Sequence, residues 1–385
     1  MLKEESQLTP VPVPRLDAPT RVGIIGSGFM GAVHARAARA AGAVVAGVSA
    51  SSRESASRAR DALGAAESFG SVDELLASGV DVLHVCAPNF VHFELALAAV
   101  RAGVHVICEK PLTTDLRDAL HLTREAEQRG VVGVVPFVYR FHPMVREMRA
   151  RVQRGETGRI ALVSGSYLQD WLSDSGATNW RVDPQLGGES RTFADIGSHW
   201  FDLVEFVLDT RVRRLSAQFG TQFPSRDEGS RENGHVATED TVTVQFTTTD
   251  GILGSFSASQ VARGRKNRLT VEISGDAHSF AFDQESPESI WRGDELGSRT
   301  LVRDPSTLSA DAARLCTVPA GHPQGYQECF NSFVADSYAA VRGEHRAGLP
   351  TFRDGLRSVR LVEAVIASAR QEGEWIAGLD SEDAA

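Results

Sequence analysis

The chain has 385 residues, 42% hydrophobic and 23% charged, with a formal net charge of −10. That length exceeds what one hydrophobic core usually serves, so two domains are expected. The acidic balance argues against a nucleic-acid binder, and no run reaches the ~18 apolar residues a membrane span needs.

In chain order, residues 1–20 hold Lys3, Glu4, Glu5 and four prolines, and read as a flexible arm with no secretory signal. From Arg21 to Val138 short apolar runs alternate with helical stretches. Strands are expected at Val22–Ile25, Val44–Val48, Val80–Val85, Val104–Cys108 and Val131–Val135. Helices are expected at Phe29–Ala41, Glu54–Leu63, Val91–Ala102 and Asp115–Arg129. Continuous β-branched strands between helices mean a doubly wound parallel sheet buried on both faces. A helix over Pro143–Arg154 follows. Then Val242, Val244 and Phe246, Leu269, Val271 and Ile273, and Phe280 and Phe282 alternate with polar residues across D-G and G-D turns. That is an antiparallel sheet with one packed face. Helices near Tyr326–Arg342 and Asp354–Glu372 close the chain, and Pro224–Gly234 reads as an exposed loop. The expected units are an arm (1–20), a dinucleotide-binding domain (21–140) and a substrate-binding and oligomerisation domain (141–385). Cys86, Cys108, Cys316 and Cys329 form no C-x-x-C pair and read as reduced thiols of a cytoplasmic protein. His34, His84, His92, His105 and His121 show no metal-ligand spacing, so no catalytic metal is expected.

Gly26-Ser27-Gly28-Phe29-Met30-Gly31 is a G-x-G-x-x-G run that ends a strand and opens a helix. Gly26 permits the tight turn, Gly28 admits a pyrophosphate, and Gly31 permits close packing, while the helix N-terminus faces the phosphates. The second strand ends Val48-Ser49-Ala50-Ser51-Ser52-Arg53 with no acid before Glu54. Either Ser52 and Arg53 hold a 2′-phosphate, or Ser52 caps a helix beside a solvated Arg53. The reading is NAD or NADP, leaning to NADP.

Glu109-Lys110-Pro111 follows a strand at the ligand-binding edge of the sheet. Asp195 and His199 lie four apart on a helical pattern. Taken singly, Lys110 could be a surface lysine and Asp195 a cap, though neither is the favoured reading, while His199 alone reads as a core histidine. Together they suit alcohol oxidation: His199 as base, Lys110 donating to the reacting oxygen, Asp195 holding the pair or a neighbouring hydroxyl.

At these residues the sequence resembles the Gfo/Idh/MocA family, the glucose–fructose oxidoreductase and inositol dehydrogenase group. The resemblance runs from Arg21 to about Ile376. It rests on Gly26–Gly31, Ala87-Pro88-Asn89 with His92, Glu109-Lys110-Pro111, Tyr139-Arg140-Phe141-His142-Pro143, and Asp195-x-Gly197-x-His199-x-x-Asp202. Tyr167-Leu168-Gln169-Asp170-Trp171 and Trp180-Arg181 look like the substrate-side loop of sugar-oxidising members, levoglucosan-type dehydrogenases among them. The resemblance implies an N-terminal Rossmann domain followed by a C-terminal α+β domain with a mostly antiparallel open sheet that supports dimers or tetramers. It implies hydride transfer at a secondary alcohol or ketone of a sugar, glycoside or cyclitol, with Lys110, Asp195 and His199 in the catalytic group. Tyr139, Arg140, Gln169, Trp171, Trp180 and Arg181 are the expected substrate contacts; both tryptophans could instead fill the interdomain core, and Tyr139, Arg140 and His142 could instead join the domains. Where many relatives have Gly-Gly-Gly-small-Leu, this chain has Gly187-Gly188-Glu189-Ser190-Arg191-Thr192-Phe193, with two charges expected near the pocket. A non-catalytic dinucleotide or sugar sensor on the same fold is the alternative.

Overall fold

The computed structural model describes residues 19–177, 179–226 and 236–380. All but two residues of the expected N-terminal arm, and most of the expected loop over 224–234, lie outside that range. Arg226, at the start of that loop, is buried rather than exposed, because its guanidinium reaches Asp240 and three backbone carbonyls.

The first unit comprises β1 (Arg21–Ile25), α1 (Phe29–Ala40), β2 (Val44–Ser49), α2 (Arg53–Leu63), β3 (Glu67–Phe69), α3 (Val72–Ala77), β4 (Val82–Val85), α4 (His92–Arg101), β5 (His105–Cys108), α5 (Leu116–Arg129) and β6 (Gly133–Val134). Its strands pair in parallel in the order β3-β2-β1-β4-β5-β6. Val22, Ile24, Val82, Leu83, Val106 and Ile107 are buried because helices cover both faces. Side chains of Ser52, Ser71 and Asp115 cap α2, α3 and α5, and Gly64 and Gly130 end α2 and α5 in the left-handed conformation. The order reverses between β1 and β4, which opens a crevice at the strands' carboxyl ends.

The second unit comprises α6 (Pro143–Gln153), β7 (Ile160–Leu168), α7 (Pro184–Gly187), α8 (Ser198–Leu208), β8 (Val212–Gly220), β9 (Thr241–Thr248), β10 (Leu253–Ser259), β11 (Arg268–Gly275), β12 (Ser279–Asp283), β13 (Ser289–Asp294), β14 (Gly297–Val302), α9 (Ala310–Ala313), α10 (Tyr326–Val341), α11 (Phe352–Arg370) and β15 (Ile376–Ala377). The sheet order is β14-β13-β12-β11-β7-β10-β9-β8-β15, antiparallel except where β7 meets β10. The alternating residues of β9, β11 and β12 face α8, where Trp200, Phe201, Leu203 and Val204 fill the core. Trp200 Nε1 donates to Thr270 O at 2.8 Å, and only a glycine at 165 leaves room, since a Cβ there would lie 2.6 Å from that nitrogen. The opposite sheet face exposes Leu162, Leu253 and Trp291. Tyr167 and Leu168 are not loop residues: they end β7, paired with Ala258 and Ser259.

Helix α10 returns to the first unit. Phe330, Phe333, Val334 and Tyr338 share one core with Val22, Ile24, Val33 and Val82. No helix among the described residues is long and apolar enough to cross a membrane.

Candidate active site

The turn after β1 shapes one wall of a cleft of about 1150 Å³. Gly26 has φ +104°, and a Cβ there would strike Cys86 O at 2.3 Å, where β1 and β4 part. A Cβ on Gly31 would lie 2.2 Å from Gly26 O, so Gly31 closes the turn and does not line the cleft. Gly28 has nothing within 4 Å of a Cβ position, so its backbone borders open space at the head of α1. Ser27, Phe29 and Met30 line the same wall. An uncovered helix N-terminus beside a turn with glycine at 26 and 28 fits a dinucleotide's pyrophosphate.

Ala87, Pro88, Asn89 and His92 form the next stretch of wall, with Glu109 and Lys110 beyond. His92 ties the two segments together: Nδ1 lies 2.8 Å from Pro111 O and Nε2 lies 2.8 Å from Ala87 O. Asn89 Nδ2 donates to Gly187 O at 3.1 Å, joining this wall to α7. At the end beside β2 the cleft is lined by Ser49, Ala50, Ser51, Ser71 and Val72, not by Ser52 or Arg53. Ser52 is a helix cap, accepting from Ser55 N at 3.1 Å. Arg53 pairs with Glu74 at 2.6 Å on the surface, with its side chain 75% exposed.

Lys110, Asp195 and His199 converge on the cleft. Lys110 Nζ lies 2.6 Å from Asp195 Oδ1 and donates to Asp195 O at 2.9 Å. Gln260 Nε2 donates to Asp195 Oδ2 at 2.8 Å, and Arg181 Nε stands 3.5 Å from Oδ1. Burial would raise the Asp195 pKa, but Lys110 and Arg181 outweigh it and hold the carboxyl well below its ordinary range. Burial, then the Lys110 ammonium, pull the His199 pKa down to about 3. The His199 ring sits edge-on to Tyr139 and Phe137, and its buried Nδ1 has no hydrogen-bond partner among the described residues. Asp195 is not a cap. It lies inside a π-helical turn, Phe193–Gly197, that runs directly into α8. Gly197 is needed there, because a Cβ would meet the Phe193 ring at 2.5 Å. Such single π turns gather at functional sites.

The far wall carries Tyr139, Gln169, Trp171, Trp180 and Arg181. The Arg181 guanidinium lies over the Trp180 ring at 4.4 Å. Trp171 Nε1 donates to Gln169 Oε1 at 2.9 Å, and Gln169 Nε2 donates to Asn267 Oδ1 at 2.7 Å. Asn267 also accepts from the Tyr167 hydroxyl at 2.8 Å, and the Tyr139 and Tyr167 hydroxyls hydrogen-bond each other. Gln260, Asn267 and Tyr326 of α10 are site residues that the sequence reading missed. Each is a lone polar or aromatic residue at an element end, with no motif around it.

Arg140 is corrected. It does not line the cleft; its buried guanidinium is held by Asp202, and by Asp354 at 2.8 Å. Glu189 and Arg191 are not cleft residues either. Glu189 pairs with Arg370 at 3.2 Å at the surface, and Arg191 is buried against Asp240. His142 is buried and stacked on Tyr139.

Residues 20–137 match the family model for an oxidoreductase family with an NAD-binding Rossmann fold, and residues 145–281 match the GFO/IDH/MocA C-terminal domain. The levoglucosan dehydrogenase of Pseudarthrobacter phenanthrenivorans is 28% identical over 92% of this chain and 97% of its own length. Inositol 2-dehydrogenase 2 of Saccharopolyspora erythraea is 39% identical over 90% of this chain and 92% of its own length. A solved levoglucosan dehydrogenase in complex with NADH and levoglucosan superposes with a TM-score of 0.87 at 28% identity, covering 94% of this chain and 99% of the other.

Proposed function

Since the chain belongs to the Gfo/Idh/MocA family of oxidoreductases, we propose that it moves a hydride between a nicotinamide coenzyme and a secondary alcohol or ketone carbon of a sugar, glycoside or cyclitol. The observation that carries the reading is the meeting of Lys110, Asp195 and His199 in the cleft that the glycine turn borders. The coenzyme, when bound, supplies hydride acceptance and return; this chain's groups manage the proton and the charge.

Lys110, fixed by Asp195, presents its ammonium to the oxygen of the reacting carbon and stabilises negative charge there. His199, kept neutral by burial, has a lone pair to accept the hydroxyl proton. In reduction His199 and Lys110 act in the reverse sense. Tyr139, Gln169, Trp171, Trp180 and Arg181 orient the substrate: aromatic faces suit the C–H faces of a pyranose, and the polar groups suit its hydroxyls.

The reading extends to NADP in preference to NAD. Its support is the lack of a carboxylate before Glu54 at the end of β2 and a surface Arg53 whose exposed pair with Glu74 is weak. It extends to a cytoplasmic homodimer or homotetramer, supported by four free cysteines and by Leu162, Leu253 and Trp291 exposed on the open face of the second sheet. The test is absorbance at ~340 nm, where reduced nicotinamide absorbs, with free sugars, glycosides and inositols and each coenzyme. Turnover that vanishes in Lys110→Ala while coenzyme still binds supports the reading. Coenzyme binding without turnover of any such substrate counts against it.

A further inference from the structure

A chain of buried polar side chains runs from the cleft into the core of the first unit, and the proton and hydride steps do not use it. Glu109 Oε1, at the end of β5, lies 3.0 Å from His34 Nε2 on α1. His34 Nδ1 lies 3.0 Å from His84 Nδ1 on β4, and His84 Nε2 lies 2.9 Å from the Tyr338 hydroxyl on α10. His34 and His84 are wholly buried, and Tyr338 nearly so.

Counting donors fixes where the hydrogens sit. Among the described residues the Tyr338 hydroxyl has no partner but His84, so it donates to His84 Nε2; the reverse direction would strand a buried O–H, which is costly. His84 then carries its hydrogen on Nδ1 and donates to a bare His34 Nδ1. His34 carries its own hydrogen on Nε2 and donates to Glu109. The other Glu109 oxygen accepts from Lys110 N at 3.2 Å. Both carboxyl oxygens accept, so Glu109 is ionised, and both rings are neutral. Burial, then the neighbouring His34, pull the His84 pKa well below its ordinary value, in keeping with a neutral ring. Burial works to raise the Glu109 pKa, but the His34 hydrogen bond and the nearby Lys110 ammonium bring it below the ordinary value.

We propose that His34 is a positioning residue, set in its Nε2–H form by Tyr338 through His84, which holds Glu109 ionised in the cleft so that the site favours the oxidised coenzyme, whose nicotinamide ring is cationic, over the reduced one, whose ring is neutral. This rests on the dehydrogenase reading. A ring that reaches Lys110 comes within range of Glu109, one residue away, and the Lys110 ammonium is already tied to Asp195.

Dissociation constants for NAD⁺, NADH, NADP⁺ and NADPH, measured by calorimetry, test it. Glu109→Gln keeps the side-chain shape and should weaken the oxidised form about tenfold relative to the reduced form, the scale of one unit of charge coupling. Tyr338→Phe should shift the same ratio the same way by about two- to threefold, since it removes one hydrogen bond two links away. Nitrogen-15 spectra of the wild type should show His34 neutral with hydrogen on Nε2. Equal shifts for oxidised and reduced forms in Glu109→Gln, or hydrogen on Nδ1 of His34, overturn the inference and leave the dehydrogenase reading intact. A wild type that binds none of the four coenzymes overturns both.

Discussion

His199 is enclosed by two aromatic rings and faces an ammonium, and its pKa near 3 sets a concrete pH expectation. The base must be neutral to work, and a depressed value keeps it neutral well into acid. Accordingly kcat/KM should hold as pH falls from about 7 to about 5, without the limb near 6.5 of an ordinary imidazole, which a pH–rate profile reads directly. Replacing His199 by Ala should lower kcat about 10²–10⁴-fold with little change in coenzyme affinity; equal small losses in both would remove it from the chemistry. On the surface beyond the cleft's β2 end, Arg53→Ala should weaken NADP about tenfold and leave NAD unchanged, as expected for one exposed charge-assisted contact. If NAD weakens as much, Arg53 does not recognise the phosphate. Lys110, Asp195 and His199 were legible in the sequence because each sits in a motif with a chemical reason for its spacing. Ser52 was legible as two alternatives, and the hydrogen bond to Ser55 N gives it the capping role. Gln260 was illegible, since nothing in a lone glutamine one residue past a strand announces that it holds a carboxylate 65 positions away.

Among the elements, the long apolar strands and amphipathic helices matched their patterns to within a residue or two, as at α1 and α6. β3 and α3 were missed because a three-residue edge strand and a six-residue helix carry no measurable period. The π turn was also invisible: Asp195 and His199 are four apart in any helix, and the widening depends on Phe193 packing against Gly197. Arg140 shows how an element can claim a residue that a motif assigns to ligand. It joins the segment before α6 to α8 and α11 through Asp202 and Asp354. Burial pushes the Asp202 pKa up to about 7 even against Arg140. Arg140→Leu would leave the buried Asp202 and the partly buried Asp354 without their cation and should cost about 3–5 kcal/mol in urea unfolding. A loss below 1 kcal/mol would mean the carboxyls find water or protons readily.

At the scale of the molecule, several histidines are buried neutral. Burial lowers the pKa of His84 and His92, of His142 to about 4 and of His199 to about 3. In the unfolded chain each takes a proton as pH falls below about 6.5, while the folded chain does not. Their contribution to stability is therefore whole above that pH and shrinks as pH drops from there toward the folded values. The urea midpoint should fall between pH 7.5 and pH 5; an unchanged midpoint would contradict buried neutral rings. The open face of the second sheet presents Leu162, Leu253 and Trp291, with Leu162 and Leu253 directly paired. Trp291→Asp should reduce the mass seen by light scattering if copies associate there, and an unchanged assembly would place the contact elsewhere. Helix α10 carries a separate consequence. Tyr338 and the phenylalanines beside it cover apolar surface of a unit whose other parts lie some 200 residues earlier. On the ribosome, the dinucleotide-binding half emerges with that surface bare and waits for nearly the entire chain before it is sealed. A fragment released after residue 140 would meet water, or a chaperone, where the intact protein has Phe330 and Phe333.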